Sequence, residues 1–359
     1  MSEWSVTTLA DVVKLQRGHD LPTRDRRPGG VPIVGSFGIT GRHDTAKVKG
    51  PGVTIGRSGS SFGTAVYVED DYWPLNTCLY VTDFRGNDPR WVYSLLHEID
   101  FSGYNSGSAQ PSLNRNFLAN IPVCRPPASE QQRIAGVLGA LDDLIETNRQ
   151  QISRLREVAQ AYFESVARDG DAVTFGDVAQ PVRQGVSRDR LSAGTPYLGL
   201  EHFGTDGSGI AGVGDAGTVE SNKSRFTAGD VLYGKLRPYF RKYDRPGFDG
   251  VCSTEIWVLR GVEPYASAIV AALVAQPEFT EFAMQGSGGT RMPRADWRHV
   301  ASMPVVVPLR EQLHEVEPRL DALWRAGVDL QKEVTELTRA RDELLPLLIS
   351  GMVRVREMA

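Results

Sequence analysis

Cysteine is scarce in this chain. Its 359 residues hold three, Cys78, Cys124 and Cys252, far apart and without a CxxC pair, which excludes a disulfide scaffold and a thiolate zinc site. All three read as reduced and mostly buried. Long apolar runs are missing too: nothing approaches the roughly 18 to 20 residues a membrane span needs, and the opening MSEWSVTTLADVV lacks the basic and apolar regions of a signal peptide. The expectation is a cytoplasmic chain with no membrane partner. HExxH, the Walker GxxxxGK[ST] and a GxGxxG between strand and helix are absent, and the six histidines are scattered singly. Nucleophilic and metal chemistry lack their required partners, so the sequence assigns no catalytic residue, no metal ligand and no cofactor. Nor is there an excess of positive charge. Forty basic against 44 acidic side chains leave a net charge of −4, which by itself argues against coating nucleic acid through bulk charge.

What is present is a long repeat. VTTLADVVKLQRG (6–18) returns as VTFGDVAQPVRQG (173–185), with Asp11 matched by Asp177 and Gly18 by Gly185. GVPIVG (30–35) is echoed by GTPYLG (194–199), NTCLYV (76–81) by STEIWV (253–258), and GSAQPSLNRNFLANIPVCRPP (107–127) by GTRMPRADWRHVASMPVVVP (289–308). Order is kept throughout, and Glu130-Gln131 is matched by Glu311-Gln312. The pattern predicts a tandem duplication: a first lobe (1–125), a long helix (126–170), a second lobe (171–308) and a second long helix (309–359).

The helical stretches follow a heptad alternation of threes and fours. In the first, Ile134, Leu138, Leu141, Ile145, Asn148, Ile152, Leu155, Ala159, Tyr162 and Val166 keep step, with Asn148 the one polar member. In the second, Val316, Leu320, Leu323, Gly327, Leu330, Val334, Leu337, Arg341, Leu344 and Leu348 do the same, interrupted by Gly327 and Arg341. A helix of this length cannot bury its stripe alone, so the two seams are expected to pack on each other. Pro126-Pro127 and Pro308 fix the entries, and Pro346 is expected to kink or end the second helix. Because a complete lobe separates the helices, the fold class expected is α+β: two mixed α/β lobes joined by two long helices packed as an antiparallel coiled coil, with internal pseudo-twofold duplication. One helix per lobe is expected, at PRWVYSLLHEI (89–99) and at SAIVAALVAQPEFTEFAM (267–284).

Locating the charge changes its meaning. Residues 1–125 carry 13 basic and 12 acidic side chains and residues 171–308 carry 14 and 15, while the helical stretches hold 5 against 7 (126–170) and 8 against 10 (309–359). The surplus acid lies in the helices, and the near-neutral lobes contain basic clusters. One gathers Arg17, His19, Arg24, Arg26 and Arg27; another gathers Arg42, His43, Lys47, Lys49 and Arg57, followed by a Gly/Ser loop with Ser58, Ser60 and Ser61. The second lobe has YGKLRPYFRKYDR (233–245), in which Lys235, Arg237, Arg241, Lys242 and Arg245 alternate with Tyr233, Tyr239, Phe240 and Tyr243. Such a composition suits a surface that meets phosphates and base edges. It equally suits a solvated charged face with its aromatics in a core. Two loops at matching places in the repeat, YNSGSAQPSLN with Ser108 and Gln110, and QGSGGTRMP with Arg291, have small residues that permit close approach to DNA or simply form turns. His97 and the acid pairs Asp70-Asp71 and Asp142-Asp143 read as solvated turn and helix surface.

This layout resembles the specificity subunit of Type I restriction-modification enzymes. TLADVVKLQRG and FGDVAQPVRQG at the lobe starts, GDVLYGKLRP (229–238), IPVCRPPASEQQRIAGVLGALDDLI (121–145), MPVVVPLREQL and LLPLLISGMV carry the resemblance. It implies a non-catalytic reader of double-stranded DNA, each lobe a target recognition domain for one half of a split, asymmetric site. It also implies that the helix pair sets the spacer and docks two modification subunits, which supply S-adenosylmethionine and adenine methylation. Two restriction subunits would add ATP- and Mg-dependent translocation and cleavage. A coiled-coil scaffold whose lobes bind proteins is the alternative reading.

Overall fold

The computed structural model describes residues 4–104, 112–288 and 292–355. The expected contact residues Ser108, Gln110 and Arg291 lie outside these, as does the side chain of Ser60.

In the first lobe, β1 (Ser5–Thr8) pairs antiparallel with a strand from the lobe's far end, β9 (Pro122–Arg125). Between them come α1 (Leu9–Val12), β2 (Lys14–Arg17), β3 (Val31–Gly35), β4 (Gly38–His43), β5 (Gly52–Gly56), β6 (Ala65–Val68), β7 (Trp73–Pro74), β8 (Cys78–Asp83), α2 (Pro89–Glu98) and α3 (Arg115–Leu118). The strands form a four-stranded sheet, β2-β8-β5-β6, and a three-stranded one, β4-β3-β7. Asp88 caps α2 through the amides of Arg90 and Trp91, and Pro89 opens its first turn. The helix then buries Trp91, Val92, Leu95 and Leu96, three and four apart, against Val53, Ile55, Leu79 and Val81 of the larger sheet.

The first long helix, α4 (Ala128–Ala167), is pinned at its start by a buried glutamine. Gln131 Oε1 accepts from the Asp88 amide at 2.9 Å, and its Nε2 donates to Asn87 Oδ1 at 2.9 Å and to the Pro126 carbonyl at 3.0 Å.

The second lobe opens with β10 (Asp171–Thr174), which pairs antiparallel with β20 (Pro304–Val307) at the lobe's end. In chain order between them lie α5 (Phe175–Val178), β11 (Ala179–Pro181), β12 (Gly185–Val186), β13 (Pro196–Leu198), β14 (Gly214–Asp215), β15 (Lys223–Phe226), β16 (Val231–Gly234), β17 (Tyr243–Asp244), β18 (Gly250–Cys252) and β19 (Ile256–Gly261), then α6 (Ser267–Ala275), α7 (Pro277–Gln285) and α8 (Trp297–Ala301). The sheets run β11-β19-β16-β17 and β12-β15-β18-β13-β14. The aligned motifs TT-x-x-D and T-x-x-D place the same capping box at α1 and α5. Asp11 takes the Thr8 hydroxyl and amide, and Asp177 takes those of Thr174, holding both carboxyls below the usual range. The single helix expected over 267–284 is two, because Pro277 offers no amide to continue α6 and instead opens α7.

The second long helix is α9 (Leu313–Ile349). Pro346 neither ends it at once nor stands mid-helix: it sits in the last turn, where its carbonyl accepts from the Ser350 amide at 3.0 Å and hydroxyl at 2.6 Å.

The chain forms two compact units, Met1–Glu146 with Thr335–Ala359, and Thr147–Val334. Each holds a lobe and part of both long helices. In the first unit, Ile134 and Leu138 of α4 and Leu345, Leu348 and Ile349 of α9 enter the lobe's core. Asp142 and Asp143 are not bare helix surface there. Asp142 binds Arg341 at 3.1 Å and Asp143 binds Arg90 at 3.0 Å. In the second unit, Phe163 and Ala167 join Leu313, Val316 and Leu320 in the core that holds Phe175, Leu273 and Phe279. Here burial has moved from the heptad positions Tyr162 and Val166 to their neighbours, the drift expected of a straight helix against a seven-residue repeat.

Cys78 and Cys252 are buried and Cys124 half-buried; burial pushes the first two thiols up to about 12. Among the described residues no helix is long and apolar enough to cross a membrane, and no cluster of three or more His, Cys, Asp or Glu side chains suits a metal.

Candidate nucleic-acid interface

A loop with the same closing bonds and left-handed positions occurs in both lobes. In the first, β5 ends at Gly56 and a 3-10 turn follows at Gly59–Ser61; in the second, β16 ends at Gly234 and the turn is Pro238–Phe240. Closing bonds correspond: the Gly56 amide donates to the Thr64 carbonyl at 2.8 Å, and that of Gly234 to the Lys242 carbonyl at 2.8 Å. Arg57 and Lys235 donate to Thr77 and Glu255 at 2.9 and 3.0 Å, and their carbonyls accept from Leu113 and Ala295, both at 2.9 Å. Isolated bridges join Ser58 to Ser112 and Leu236 to Arg294. Left-handed positions four residues apart recur in both loops: Gly59, which opens its turn, and Gly63 have φ +83° and +82°, and Arg237 and Arg241, which flank theirs, have +52° and +49°.

The chemistry differs. Glycine adopts this backbone freely, whereas an arginine there costs on the order of 1–2 kcal/mol. The second lobe thus holds two strained arginines where the first shows that the loop closes without them. Strain of this kind collects at functional sites.

Arg237 is exposed, and its amide donates to the Pro293 carbonyl at 2.7 Å. Tyr239 and Phe240 stand out from the turn, 46% and 36% exposed, their rings 4.6 Å apart. Arg241 faces inward, its Nη2 donating at 2.9 Å to the Ala275 carbonyl at the end of α6. Lys242 donates to the Leu200 carbonyl at 2.7 Å while its ammonium lies 5.7 Å from the centre of the Phe240 ring. Lys235 is half-buried at the loop's base. Beside it, Arg294 forms a two-pronged pair with Glu255 at 2.8 and 2.9 Å. In the first lobe the corresponding loop offers half-buried Arg57, Ser58 and Ser61, and the Arg57 Nε donates to the Leu113 carbonyl at 3.4 Å.

Besides Arg241, two expected contact residues face the wrong way. His43 is 3% exposed, its Nδ1 accepting from the Arg27 amide at 3.0 Å and its Nε2 lying 3.3 Å from Asp44. Tyr233 is fully buried, its hydroxyl 3.3 Å from that of Thr280, and burial pushes its pKa up to about 12. Their polar atoms serve the lobe, so both leave the set. Arg17 and Arg42 are exposed, Arg42 donating to the Gly30 carbonyl. Lys47 sits 5.7 Å from the centre of the Trp73 ring, which also packs edge-on against His19 and His43. Burial and the Lys47 charge hold the His19 imidazole below its usual range.

Sequence reasoning missed Trp73, which gathers these basic residues, and the tip of the β3–β4 hairpin, where Phe37 and Ile39 are largely exposed. The signal for the hairpin was GSFG, with Gly38 at φ +110° after a two-residue turn.

The Type I restriction modification DNA specificity domain family matches residues 1–157. The specificity subunit of the Type I restriction enzyme EcoDI of Escherichia coli is 20% identical over 291 residues, 69% of this chain, and the match spans 65% of that protein, just under two thirds of its length. The MjaIX specificity subunit of Methanocaldococcus jannaschii is 20% identical over 313 residues, 75% of this chain and 70% of its own. Among solved structures, the S subunit of a Type I restriction-modification system from M. genitalium has the same fold, with a TM-score of 0.61 at 15% identity over 99% of this chain and 97% of its own. By its matching domain, relatives and fold, the chain is similar to the specificity subunits of Type I restriction-modification systems.

Proposed function

We propose that the chain, itself without catalysis, reads a split, asymmetric double-stranded DNA sequence, one half-site per lobe, and docks two modification subunits and two restriction subunits. The modification partner supplies S-adenosylmethionine and adenine methylation, the restriction partner ATP- and Mg-dependent translocation and cleavage. The observation that carries the reading is the loop repeated in both lobes, with matching closing bonds and left-handed positions and a different set of side chains on each copy. A common scaffold with divergent tips is what two half-sites of different sequence require. The lobes would be residues 1–125 and 171–308, and the contact set Arg17, Arg42, Lys47, Arg57, Ser58, Ser60, Ser61, Lys235, Arg237, Tyr239 and Lys242, with Ser108, Gln110 and Arg291 from the neighbouring loops and Arg241 bracing the turn from within.

The spacer would be an antiparallel coiled coil of the two long helices, residues 126–170 and 309–359, completing a pseudo-twofold duplication. Support comes from within each unit. In one, Asp142 meets Arg341 and Leu138 lies beside Leu345; in the other, Tyr162 meets Arg319. In the first, residue numbers fall along one helix as they rise along the other. Helices of 40 and 37 residues are about 60 and 55 Å long, enough to bridge half-sites about 34–36 Å apart on one face of the duplex. Single-molecule sequencing of methylated adenines, in cells expressing the chain with its modification partner, tests the reading. It is expected to return two constant half-sites and a fixed spacer. A continuous target, or none, overturns it.

A further inference from the structure

We infer that Tyr239 and Phe240 form an aromatic wedge with which the second lobe unstacks a base step of its half-site, with Arg237 holding the adjacent phosphate, and that the first lobe lacks this device. The inference rests on the DNA-reading function proposed above and names a specificity element within it.

Three observations meet at the turn. The first is the comparison of the two loops. Where the second lobe has Arg237, Tyr239, Phe240 and Arg241, the first has Gly59, Ser61, Phe62 and Gly63, with the left-handed positions matched and the 3-10 turn one residue earlier. Phe62 packs onto the first lobe's core, whereas Phe240 is turned out. Packing therefore asks for neither the strained arginines nor the exposed rings.

The second observation is rigidity. Pro238 sets the backbone of the turn, the Phe240 and Arg241 carbonyls each accept an amide, from Asp206 and Gly207 at 3.0 Å, and Arg241 is tied to Ala275. Aromatic side chains on a braced tip lose little entropy on docking, which is the arrangement of side chains that wedge between base steps.

The third is charge. Arg237 is exposed beside the rings, and the Lys242 ammonium lies over the Phe240 face. Two flat apolar groups flanked by cations match a base step flanked by phosphates. An apolar protein groove would leave those cations without partners.

The test uses the complex of the full chain with its modification subunits, and duplexes of the methylated sequence carrying 2-aminopurine at each base step of both half-sites in turn. Besides the adenines that the modification subunits extrude for methylation, the wild-type complex is expected to raise 2-aminopurine fluorescence at one further step of one half-site. Tyr239→Ala/Phe240→Ala is expected to abolish that signal and weaken binding roughly tenfold to a hundredfold, while the other half-site keeps its selectivity. Arg237→Gly serves as the folding control. It removes a left-handed arginine, so thermal stability is expected to hold or rise while affinity falls severalfold and the salt dependence of binding shallows by about one ion. Unchanged fluorescence and affinity in the double variant overturn the wedge and leave the DNA-reading function standing. Loss of assembly with the modification subunit, at unaltered DNA selectivity, overturns it in favour of a protein-docking tip. Absence of any split target in the wild type overturns the function and the wedge with it.

Discussion

The Arg245 guanidinium lies 3.9 Å from the centre of the Trp324 ring, and the Trp324 indole N–H donates to the Arg245 carbonyl at 2.6 Å. Arg245 also binds Asp321 of α9 at 2.8 Å, while its neighbour Asp244 binds Arg156 of α4 at 3.1 Å. Two adjacent residues at the end of the reading loop thus grip both long helices of the second unit. Because the cation is largely desolvated, Trp324→Ala is expected to destabilise that unit by about 2 kcal/mol, and Trp324→Phe, which keeps a ring but no donor, by about 1 kcal/mol. Urea unfolding of the three proteins measures both values. Equal stability of all three would remove the anchor from the account.

In the first unit the apparent flaw in the second seam, Arg341, is a half-buried ion pair with Asp142. Replacing Arg341 with leucine strands the Asp142 charge, replacing Asp142 leaves Arg341 only its more exposed partner Asp342 at 2.7 Å, and replacing both restores an apolar seam. Each single variant is expected to lose about 1–2 kcal/mol and the double variant close to nothing. A double-mutant cycle by chemical denaturation checks the coupling; additive losses would show that the pair has no energetic link.

Legibility follows physical cause. The long helices were readable because burial of one face imposes a period, and Ile134, Leu138, Ile145, Asn148 and Ile152 are buried on it. The repeated loop was half-readable. Gly56 and Gly234 align by letter, and a side chain at Gly56 would collide with the Ser61 carbonyl at 2.0 Å, but Gly59 and Arg237 share only a backbone angle. No residue-type rule predicts arginine at positive φ. His43 and Tyr233 misled for a different reason: a basic or aromatic residue in a charged stretch carries no mark of the face it occupies, and the sheet turned both inward.

Glu317 gives a pH signature. Burial holds its carboxyl above the usual range, the Ala266 amide at 2.7 Å opposes that, and Glu263 reinforces it. A raised folded value favours the protonated form in the native state, so its contribution is present below the unfolded value, about 4.3, and is lost as the pH rises through the folded one. Glutamine keeps an acceptor for Ala266 without the charge. Glu317→Gln is expected to raise the melting temperature at pH 7 and to leave it unchanged at pH 4 and below. A gain of the same size at both values would contradict the linkage.

Glu-Gln stands at both helix entries, yet the two copies have different consequences. Gln131 is 2% exposed and uses three hydrogen bonds to lock Asn87, the Asp88 amide and the Pro126 carbonyl. Gln312 ends an exposed 3-10 turn, Arg310–Gln312, with its side chain in solvent. Removing a buried group orphans its partners, whereas removing a solvated one costs little. Gln131→Ala is therefore expected to destabilise the chain by about 2–3 kcal/mol and Gln312→Ala by less than about 0.5 kcal/mol, read from urea midpoints at constant slope. Leucine at Gln131 discriminates further. It fills the volume but satisfies none of the three partners, so a loss matching that of alanine assigns the cost to hydrogen bonding. Recovery by leucine would assign it to packing, and the glutamine would then be a space-filler at the helix entry rather than its lock.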